Sequence, residues 1–289
     1  MSFLTQLSFS TLFGFLIGVA LFIYAVISST DNYYVFISLS SFLLVIGGTL
    51  AATMSAYQGQ YVLNSVFSMI KIIGPFNLDS KTVFNDVGRM IEFSSVAKRQ
   101  GPLAIEKMLS ASEQNDQLLT YGITLLTSGY NGTDIRRMLM NSIENQFDRQ
   151  IIKSNILLSM AGFSPAFGMI GTLVGLVIMF EKMGTDIAGI GMGMALALMT
   201  TLYGVLMTQL FYKPAAEKIR QREEILLFRN KLIMEGFVYI ADGKDSMIIQ
   251  DHLNSFLDPG LRFDLANGIA CNRCHIKNTS KVHINTQTT

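Results

Sequence analysis

Two long apolar runs without a single charged residue constrain the fold of this chain more than any other feature. They cover about Ile156–Phe180 and Ile187–Tyr212, and neither contains Asp, Glu, Lys, Arg or His. A helix of about 20 apolar residues is long enough to cross the hydrocarbon core of a bilayer. We therefore expect two transmembrane helices here, joined by the short segment EKMGTD.

Two further runs without charge lie near the start of the chain, at about Phe9–Ser28 and Tyr33–Tyr57. Only SSTDN separates them, so we expect them to form a tight helical hairpin. The residues before the first run lack the basic segment of a signal peptide, which predicts that this helix is retained. Charged residues make up 15% of the chain, compared with about 25% in ordinary soluble domains, as expected for an integral membrane protein.

The positions of Lys and Arg predict the orientation in the membrane, because cytoplasmic loops carry an excess of these residues. The loop between the first two runs has none, and the loop between the last two has only Lys182. All the others lie in the long middle segment and in the tail, which we therefore expect to be cytoplasmic together with both termini. The net charge of +1 gives no support for nucleic-acid binding.

The remaining segments show helical periodicity and no strand pattern. Apolar residues recur every three to five positions in Val83–Arg99, and Thr133 precedes Asp134 as the expected N-cap of a later helix. We expect an all-α integral membrane protein with four transmembrane helices and a large helical cytoplasmic domain between the second and third. A cytoplasmic C-terminal helix, Ala215–Tyr239, is expected to continue the fourth run. The expected segments are 1–57 (two transmembrane helices), 58–155 (cytoplasmic domain), 156–212 (two transmembrane helices), 213–264 (cytoplasmic helical region) and 265–289 (disordered tail).

Small and hydroxyl-bearing residues recur at helical spacing in the last two runs. They are Gly168, Gly171, Thr172 and Gly175 in the third run, and Ala197, Thr201, Gly204 and Thr208 in the fourth. Two interpretations remain open. Small residues allow helices to pack closely, with the hydroxyls bonded to their own helix. Alternatively, the stripes line an ion path, where hydroxyl oxygens replace part of the hydration shell of a cation.

Groups that carry chemistry are scarce in this sequence. The four apolar runs contain no ionisable side chain, although such groups usually mark an ion pathway, so a conducting chain would need a carboxylate from a partner. No Walker loop, nucleophile elbow, H-E-x-x-H or dinucleotide motif is present, so nothing points to an enzyme or a cofactor. Cys271, Cys274 and His275 match a haem-attachment pattern and, with His283, a weak zinc pattern. Because this tail is expected to be cytoplasmic and disordered, we assign no metal site to it.

Two further features each have a structural and a functional interpretation. Pro165 and Pro214 lie at the cytoplasmic ends of the last two runs, where they either mark the membrane boundary or act as hinges. Gly101–Pro102 breaks a helix and places charged residues at a turn. This turn is either a solvated loop or a docking surface for a charged partner. Its charged residues are Lys98, Arg99, Glu106 and Lys107.

With these residues in view, the chain resembles the stator A subunits of the bacterial flagellar motor, the MotA/PomA family. The resemblance covers about residues 10–258 and is strongest in SPAFGMIGTLVGLV, MTTLYG and KPAAEKI, with further matches in VIGGTLAA and AKRQGPLAIEK. The chain is most similar to the sodium-driven members, because Thr172 and Thr201 occupy the two hydroxyl positions of their ion path. The resemblance therefore implies a Na⁺ channel, with H⁺ as the alternative ion.

The resemblance also implies partners and residue roles. It implies a ring of five such chains around two B subunits of the MotB/PomB type, each with a membrane aspartate, in the bacterial inner membrane. Pro165 and Pro214 match the two functional prolines of the family. Lys98 and Glu106 match charges that face the rotor protein FliG, with Arg99 beside Lys98. Lys107 is a departure, since sodium-type members can have a second acid at that position.

Two other functions remain open. The ExbB/TolQ energisers of outer-membrane transport belong to the same superfamily, but they have three spans. The paired runs at about Phe9–Ser28 and Tyr33–Tyr57 favour the four-span flagellar type instead. A non-conducting membrane scaffold is the third possibility, and a stable assembly without any acidic-helix partner would favour it.

Overall fold

The computed structural model describes residues 9–30, 33–71, 80–109, 116–184 and 186–257, and most of them are helical. In chain order the elements are α1 (Phe9–Ser29), a 3₁₀ turn (Tyr33–Phe36), α2 (Leu39–Ala56), α3 (Gly59–Lys71), α4 (Ser80–Gln100), α5 (Leu103–Glu106), α6 (Gln117–Thr127), α7 (Gly132–Lys182), α8 (Ile187–Ala241) and α9 (Ser246–Asn254). These residues contain no strand, so the all-α class is confirmed. The tail 265–289, with the cysteine pattern, lies outside the described residues.

Three of the described helices, α2, α7 and α8, are long and apolar enough to cross a membrane. The third and fourth apolar runs are parts of much longer helices, because α7 continues for 51 residues and α8 for 55. The last part of α8 is the tail helix, which continues the fourth run as the sequence predicts. The apolar part of α1, Phe13–Ser29, is shorter than the other three.

The chain divides into two compact units, each built from segments that are distant in the sequence. Unit 1 comprises Met1–Asn77 and Glu144–Leu227, and unit 2 comprises Leu78–Ile143 and Phe228–Thr289. The long helices α7 and α8 contribute residues to both units. The unit boundaries therefore fall inside the segments 58–155 and 213–264 that the sequence analysis treats as continuous.

In unit 1, α2 packs against α7 and α8 through aromatic and small residues. The Phe167 ring of α7 occupies the space that a side chain at Gly48 of α2 would need. The Tyr203 hydroxyl of α8 donates to the Phe36 carbonyl at 2.6 Å and accepts from the Ser38 amide at 3.0 Å. These two bonds fix the start of α2 against the middle of the fourth apolar run.

A buried apolar cluster joins α3 to α7 and α8 in the same unit. Val62 of α3 is fully buried and anchors the helix in this cluster. Val62 lies in the segment expected to be cytoplasmic, where complete burial of such a side chain away from water contributes about 1.5–3 kcal/mol. Its members are Val62, Ile156, Leu157, Met160, Ala161, Tyr212, Ala215, Ala216 and Ile219.

Unit 2 has a separate apolar core. Phe93 and Phe237 are among its largest fully buried side chains. The Phe237 ring occupies the space that a side chain at Gly122 of α6 would need. The Met90 side chain likewise occupies the space that a side chain at Gly236 of α8 would need. The apolar periodicity of the segment that forms α4 is confirmed by four buried residues: Val83, Val87, Met90 and Ile91.

A partly buried ion-pair network links α4, α6 and α8 in unit 2. The Arg229 guanidinium of α8 donates to Asp86 at 2.6 and 3.1 Å and to Asp116 at 2.8 Å. Asp116 also accepts from the backbone amides of Leu118 and Leu119 and thereby caps α6. Burial opposes the charge of Arg229, but the hydrogen bonds and negative charges of the two acids outweigh it, and the pKa of Arg229 is raised. Arg229 therefore stays charged and holds together two carboxylates that would otherwise repel each other.

The start of α7 differs from the sequence-based prediction. Asn131, and not Thr133, caps this helix, because its side-chain oxygen accepts from the Asp134 amide at 2.8 Å. Thr133 lies in the first turn and donates its hydroxyl to the same oxygen at 2.7 Å. Asn is at least as good an N-cap as Thr, and Asn131 comes first in the chain, so the helix already begins at Gly132.

We expect Arg229→Met to lower the free energy of unfolding of the full-length protein by about 1.5–3 kcal/mol. The substitution retains much of the side-chain volume but leaves the partly buried Asp86 and Asp116 without a cation. Denaturant titration of the purified chain in detergent, followed by circular dichroism, measures the change.

Arg137→Met is the matched control for this experiment. Arg137 forms a 2.9 Å ion pair with Asp134 on the exposed surface of α7. Exposed pairs of this type contribute at most about 1 kcal/mol. Equal losses of stability in the two variants would contradict the structural role that we assign to the partly buried network.

Candidate functional site

The third and fourth apolar runs lie with their backbones in contact, and glycine makes this approach possible. A Cβ atom on Gly175 would lie 2.6 Å from both the Ala197 nitrogen and the Gly193 carbonyl oxygen. A Cβ atom on Gly193 would lie 2.7 Å from the Met179 nitrogen. Such distances are too short for any side chain, so only glycine fits at these two positions of what we call the α7–α8 seam.

The seam continues along both helices. A Cβ atom on Gly204 would lie 2.8 Å from the Ser164 carbonyl oxygen, and one on Gly168 would lie 3.1 Å from the Thr200 carbonyl oxygen. Gly171 also faces Thr200, whose buried hydroxyl donates to two carbonyls of its own helix at 3.0 Å each. These glycines and Thr200 thus serve helix packing, which was one of the two interpretations of the stripes.

Thr172 and Thr201 come together across the seam. Their hydroxyl oxygens are 2.5 Å apart. Thr172 Oγ1 lies 3.1 Å from the Gly168 carbonyl oxygen and 3.3 Å from the Ala197 carbonyl oxygen. Thr201 Oγ1 lies 3.5 and 3.4 Å from the same two oxygens. Two hydroxyls and two carbonyls from two helices therefore form one group of four oxygens, which we call the oxygen cluster.

The oxygen cluster lies at the surface of unit 1 and not in its interior. Thr201 is exposed and Thr172 is half-buried. Residues one helical turn away are apolar and strongly exposed: Met169 (62%), Leu198 (68%) and Val205 (47%). The hydroxyls therefore provide a polar spot on an apolar face that a further helix can cover.

The chemistry of this arrangement is that of a cation site without charge. Hydroxyl and carbonyl oxygens present the negative ends of their dipoles and can replace water around a cation. Neither apolar run contributes an acid, a base or a histidine. Such oxygens have the chemistry of cation ligands, and neither run supplies a negative charge that would balance a cation.

Thr208 has a different environment from Thr172 and Thr201, although it belongs to the same predicted stripe as Thr201. Its hydroxyl is buried and donates to the Ala161 carbonyl of α7 at 3.0 Å. In the opposite direction, the Ser164 hydroxyl of α7 donates to the Gly204 carbonyl of α8 at 3.1 Å. We call this reciprocal pair of bonds the hydroxyl clasp.

Both prolines of the predicted hinges lie within continuous helices. α7 passes through Pro165 without a break. In α8, Met207–Tyr212 forms a π-helical turn just before Pro214, and the Lys213 amide donates to the Thr208 carbonyl five residues earlier. A wider turn of this kind accommodates the loss of a backbone donor at a proline.

The charged turn after α4 is formed as the sequence predicts. Gly101 ends the helix in the left-handed conformation, with φ +86°, directly before Pro102. Lys98 forms an ion pair with Asp245, the residue that precedes α9, and its hydrogen bond and positive charge lower the pKa of the Asp245 carboxyl. Within the described part of the chain, the other charged residues of the turn form no ion pair. They are Arg99, Glu106 and Lys107, and all three are exposed.

Sequence reasoning did not single out several residues that build these sites. Gly193 precedes Ala197 by four residues, and Ser164 precedes Gly168 by four, so extending each stripe by one helical turn would have found both. Asp245 gave no such signal, because it lies 147 residues from its partner in the charged turn.

Comparison with known proteins finds related sequences over more than half of the chain. A family model described as the MotA/TolQ/ExbB proton channel family matches residues 110–230. The chemotaxis protein PomA of Vibrio alginolyticus is 34% identical over 176 residues, which are 61% of this chain and 68% of that protein. Motility protein A of Borreliella burgdorferi is 32% identical over 180 residues, which are 62% of this chain and 68% of that protein.

Solved structures have the same fold. The structure of MotAB from C. jejuni matches with a TM-score of 0.77 at 21% identity, over 89% of this chain and 99% of that chain. The flagellar MotAB stator complex from Bacillus subtilis matches with a TM-score of 0.76 at 20% identity, over 86% and 96%. From the identity to PomA across two thirds of that protein, the chain belongs to the MotA/PomA family of flagellar motor stator A subunits, within the wider MotA/TolQ/ExbB family.

Proposed function

We propose that this chain is the A subunit of a flagellar stator that couples a flow of Na⁺ to torque on the rotor. The oxygen cluster of Thr172 and Thr201 carries the proposal, because it offers several cation ligands on an apolar face. The glycines of the α7–α8 seam keep the two helices close enough for both hydroxyls to reach one ion. The similarity to PomA and to motility protein A supports the assignment to the motor.

We place the protein in the bacterial inner membrane, with four transmembrane helices and both termini in the cytoplasm. α1 has 21 residues, and a helix of that length extends over about 31 Å, which is enough to cross a bilayer beside α2, α7 and α8. It packs on α8, where the Phe15 and Phe211 rings meet edge to face with centroids 5.2 Å apart. Exposed apolar side chains of α1, such as Leu16 and Leu21, suit contact with lipid.

The choice of Na⁺ rests on the two hydroxyls. A partly dehydrated Na⁺ needs oxygen ligands from the protein, whereas a proton can move through a carboxylate and water alone. Thr172 and Thr201 place hydroxyl oxygens at two positions where a proton path would work equally well with apolar side chains. The family model that matches this chain describes proton channels, so H⁺ is the competing ion.

A partner has to supply the negative charge that the four apolar runs lack. We propose a B subunit of the MotB/PomB type, whose membrane aspartate lies against the oxygen cluster in a ring of five A chains around two B chains. Transfer of Na⁺ from the hydroxyls to this aspartate would drive stepwise rotation of the ring. Met169, Leu198 and Val205 offer the apolar surface that such a helix requires.

We propose further that the charged turn contacts the rotor protein FliG. Its four charged side chains are exposed and carry both signs, so they can pair with a charged partner of either sign. Pro165 and Pro214, within the helices that hold the oxygen cluster, are the proposed hinges between the ion path and the rest of the chain.

We expect ion flow only when this chain is assembled with a B subunit, because no span of its own carries an acid. Cells that express the A and B chains as their only stator should swim, and cells with the A chain alone should not. Replacing the membrane aspartate of the B chain by asparagine should abolish swimming and ion influx. Sodium or proton influx through the A chain alone, above that of control cells, would refute this model.

We expect Thr172→Val to raise the external sodium concentration that gives half-maximal swimming speed by about fivefold. This factor corresponds to the loss of one polar contact of about 1 kcal/mol. Valine preserves the volume but removes the oxygen. Thr172→Ser retains the oxygen and should resemble the wild type. Thr200→Val is the matched control, because that hydroxyl is bonded within its own helix.

Swimming speed is measured against external sodium at fixed pH. Identical curves for the wild type, Thr172→Val and Thr200→Val would remove the sodium path. A wild type that responds to the proton gradient and not to sodium would assign the site to H⁺ and leave the stator function intact.

We expect Lys98→Glu to reduce torque without loss of membrane assembly, through a contact outside the chain. The alternative cause is repulsion from Asp245, the internal partner of Lys98. The variant Lys98→Glu/Asp245→Lys separates the two causes, because it restores only the internal ion pair. Torque that returns in this variant would show that Lys98 acts within the chain, whereas torque that returns only with a charge reversal on the rotor protein supports the docking surface.

A further inference from the structure

Thr208 connects the two proline positions of unit 1 through both of its polar groups. Its hydroxyl donates to the Ala161 carbonyl at 3.0 Å, and its carbonyl accepts from the Lys213 amide. Ala161 lies four residues before Pro165, and Lys213 directly precedes Pro214. We propose that Thr208 is a positioning residue that couples Pro165 to Pro214, so that the two prolines act as one hinge.

The hydroxyl bond replaces a backbone bond that the sequence makes impossible. In a regular α-helix the Ala161 carbonyl would accept from the amide of residue 165, but proline has no hydrogen there. Ala161 and Thr208 are only 8% and 7% exposed, so solvent has little access to this carbonyl. An unpaired carbonyl in such an environment is costly, and a hydroxyl from a neighbouring helix is one of the groups that can satisfy it.

The hydrogen bond to the Thr208 carbonyl departs from the spacing of a regular α-helix, in which the donor lies four residues later. This carbonyl accepts from Lys213, five residues later, and this shift belongs to the π-helical turn before Pro214. Rotation about the Thr208 side-chain torsion alone would open only the bond to Ala161, whereas a displacement of the α8 backbone at Thr208 moves its hydroxyl and its carbonyl together. A change at one proline that displaces this backbone therefore alters the hydrogen bond next to the other.

The second bond of the hydroxyl clasp keeps the two helices aligned around this point. Ser164 donates to the Gly204 carbonyl at 3.1 Å. A Cβ atom on Gly204 would lie 2.8 Å from the Ser164 carbonyl oxygen and 3.3 Å from the Pro165 Cα atom. Pro165 is thus in close contact with α8 one helical turn from Thr208, and its displacement has to move α8 as well.

This role is separate from ion binding. The Thr208 hydroxyl is buried against the Ala161 carbonyl, whereas the oxygen cluster lies at the surface. The proposed coupling therefore holds whichever ion is transported. The hinge role of the two prolines and the torque measurement rest on the proposed function, whereas the stability and exchange measurements on the purified chain do not depend on it.

A double-mutant cycle between Thr208→Val and Pro165→Ala tests the coupling in the purified full-length chain in detergent, by denaturant titration. Alanine at position 165 restores the amide donor and makes the hydroxyl redundant. In the wild-type background, Thr208→Val should raise the ratio of unfolded to folded chain about threefold, which corresponds to the roughly 0.6 kcal/mol of an average hydrogen bond between membrane helices. In the Pro165→Ala background it should add nothing, and an equal effect in both backgrounds would overturn the proposal.

Two further variants serve as controls. Thr208→Ser keeps the donor and should behave as the wild type in stability and torque. Thr200→Val deletes a buried hydroxyl of the same helix that is bonded to its own backbone, so its effect should be the same in both backgrounds. A Thr208→Ser variant as impaired as Thr208→Val would contradict a role for the hydroxyl.

Amide hydrogen exchange of the Thr208 variants keeps the test decisive if Pro165→Ala fails to fold. In Thr208→Val, exchange should become faster in peptides around Pro165 and in peptides around Pro214, whereas Thr200→Val should leave both unchanged. Faster exchange at only one of the two prolines would show that they are independent. Torque under load should fall in Thr208→Val and be retained in Thr208→Ser.

Discussion

Backbone contact between α7 and α8 is the constraint on which the rest of unit 1 depends. Gly175 and Gly193 bring the two helices so close that a single methyl group on either would collide with the opposite backbone. Only at this separation can Thr172 and Thr201 share a hydrogen bond. The same separation lets hydroxyls of one helix reach carbonyls of the other. Because lipid provides no hydrophobic driving force between helices, close van der Waals packing and these polar contacts stabilise the pair.

Helical periodicity was sufficient to predict the faces that meet in the seam, because small residues at three- and four-residue spacing mark the side where backbones can touch. The juxtaposition of Thr172 and Thr201 follows from that pattern. The pattern does not predict that Thr201 is exposed and Thr208 is buried, because both lie on one stripe. The Thr208 hydroxyl is instead buried and donates to the Ala161 carbonyl, which Pro165 on the other helix leaves without its usual amide donor. A property of one helix thus depends on a residue 43 positions away, which a local pattern does not contain.

The ionic contacts of unit 2 were likewise beyond the reach of local patterns. Arg229 is bonded to Asp86 and Asp116, which lie 143 and 113 residues away. The sequence marks each of these residues as charged, but only the fold shows which charges are buried together. The N-cap of α7 was missed for a simpler reason, since Asn131 and Thr133 are both suitable caps and the choice between them depends on where the chain enters the helix.

An acid on another protein that reaches the turn after α4 meets a lysine that is already engaged with Asp245. Binding there is an exchange, in which a new ion pair forms as the internal one opens. The net free energy is therefore the difference between two similar interactions in water. Salt weakens both, and neither is favoured strongly enough to persist. Such an exchange keeps the lysine neutralised between encounters and limits the free energy that any one encounter contributes.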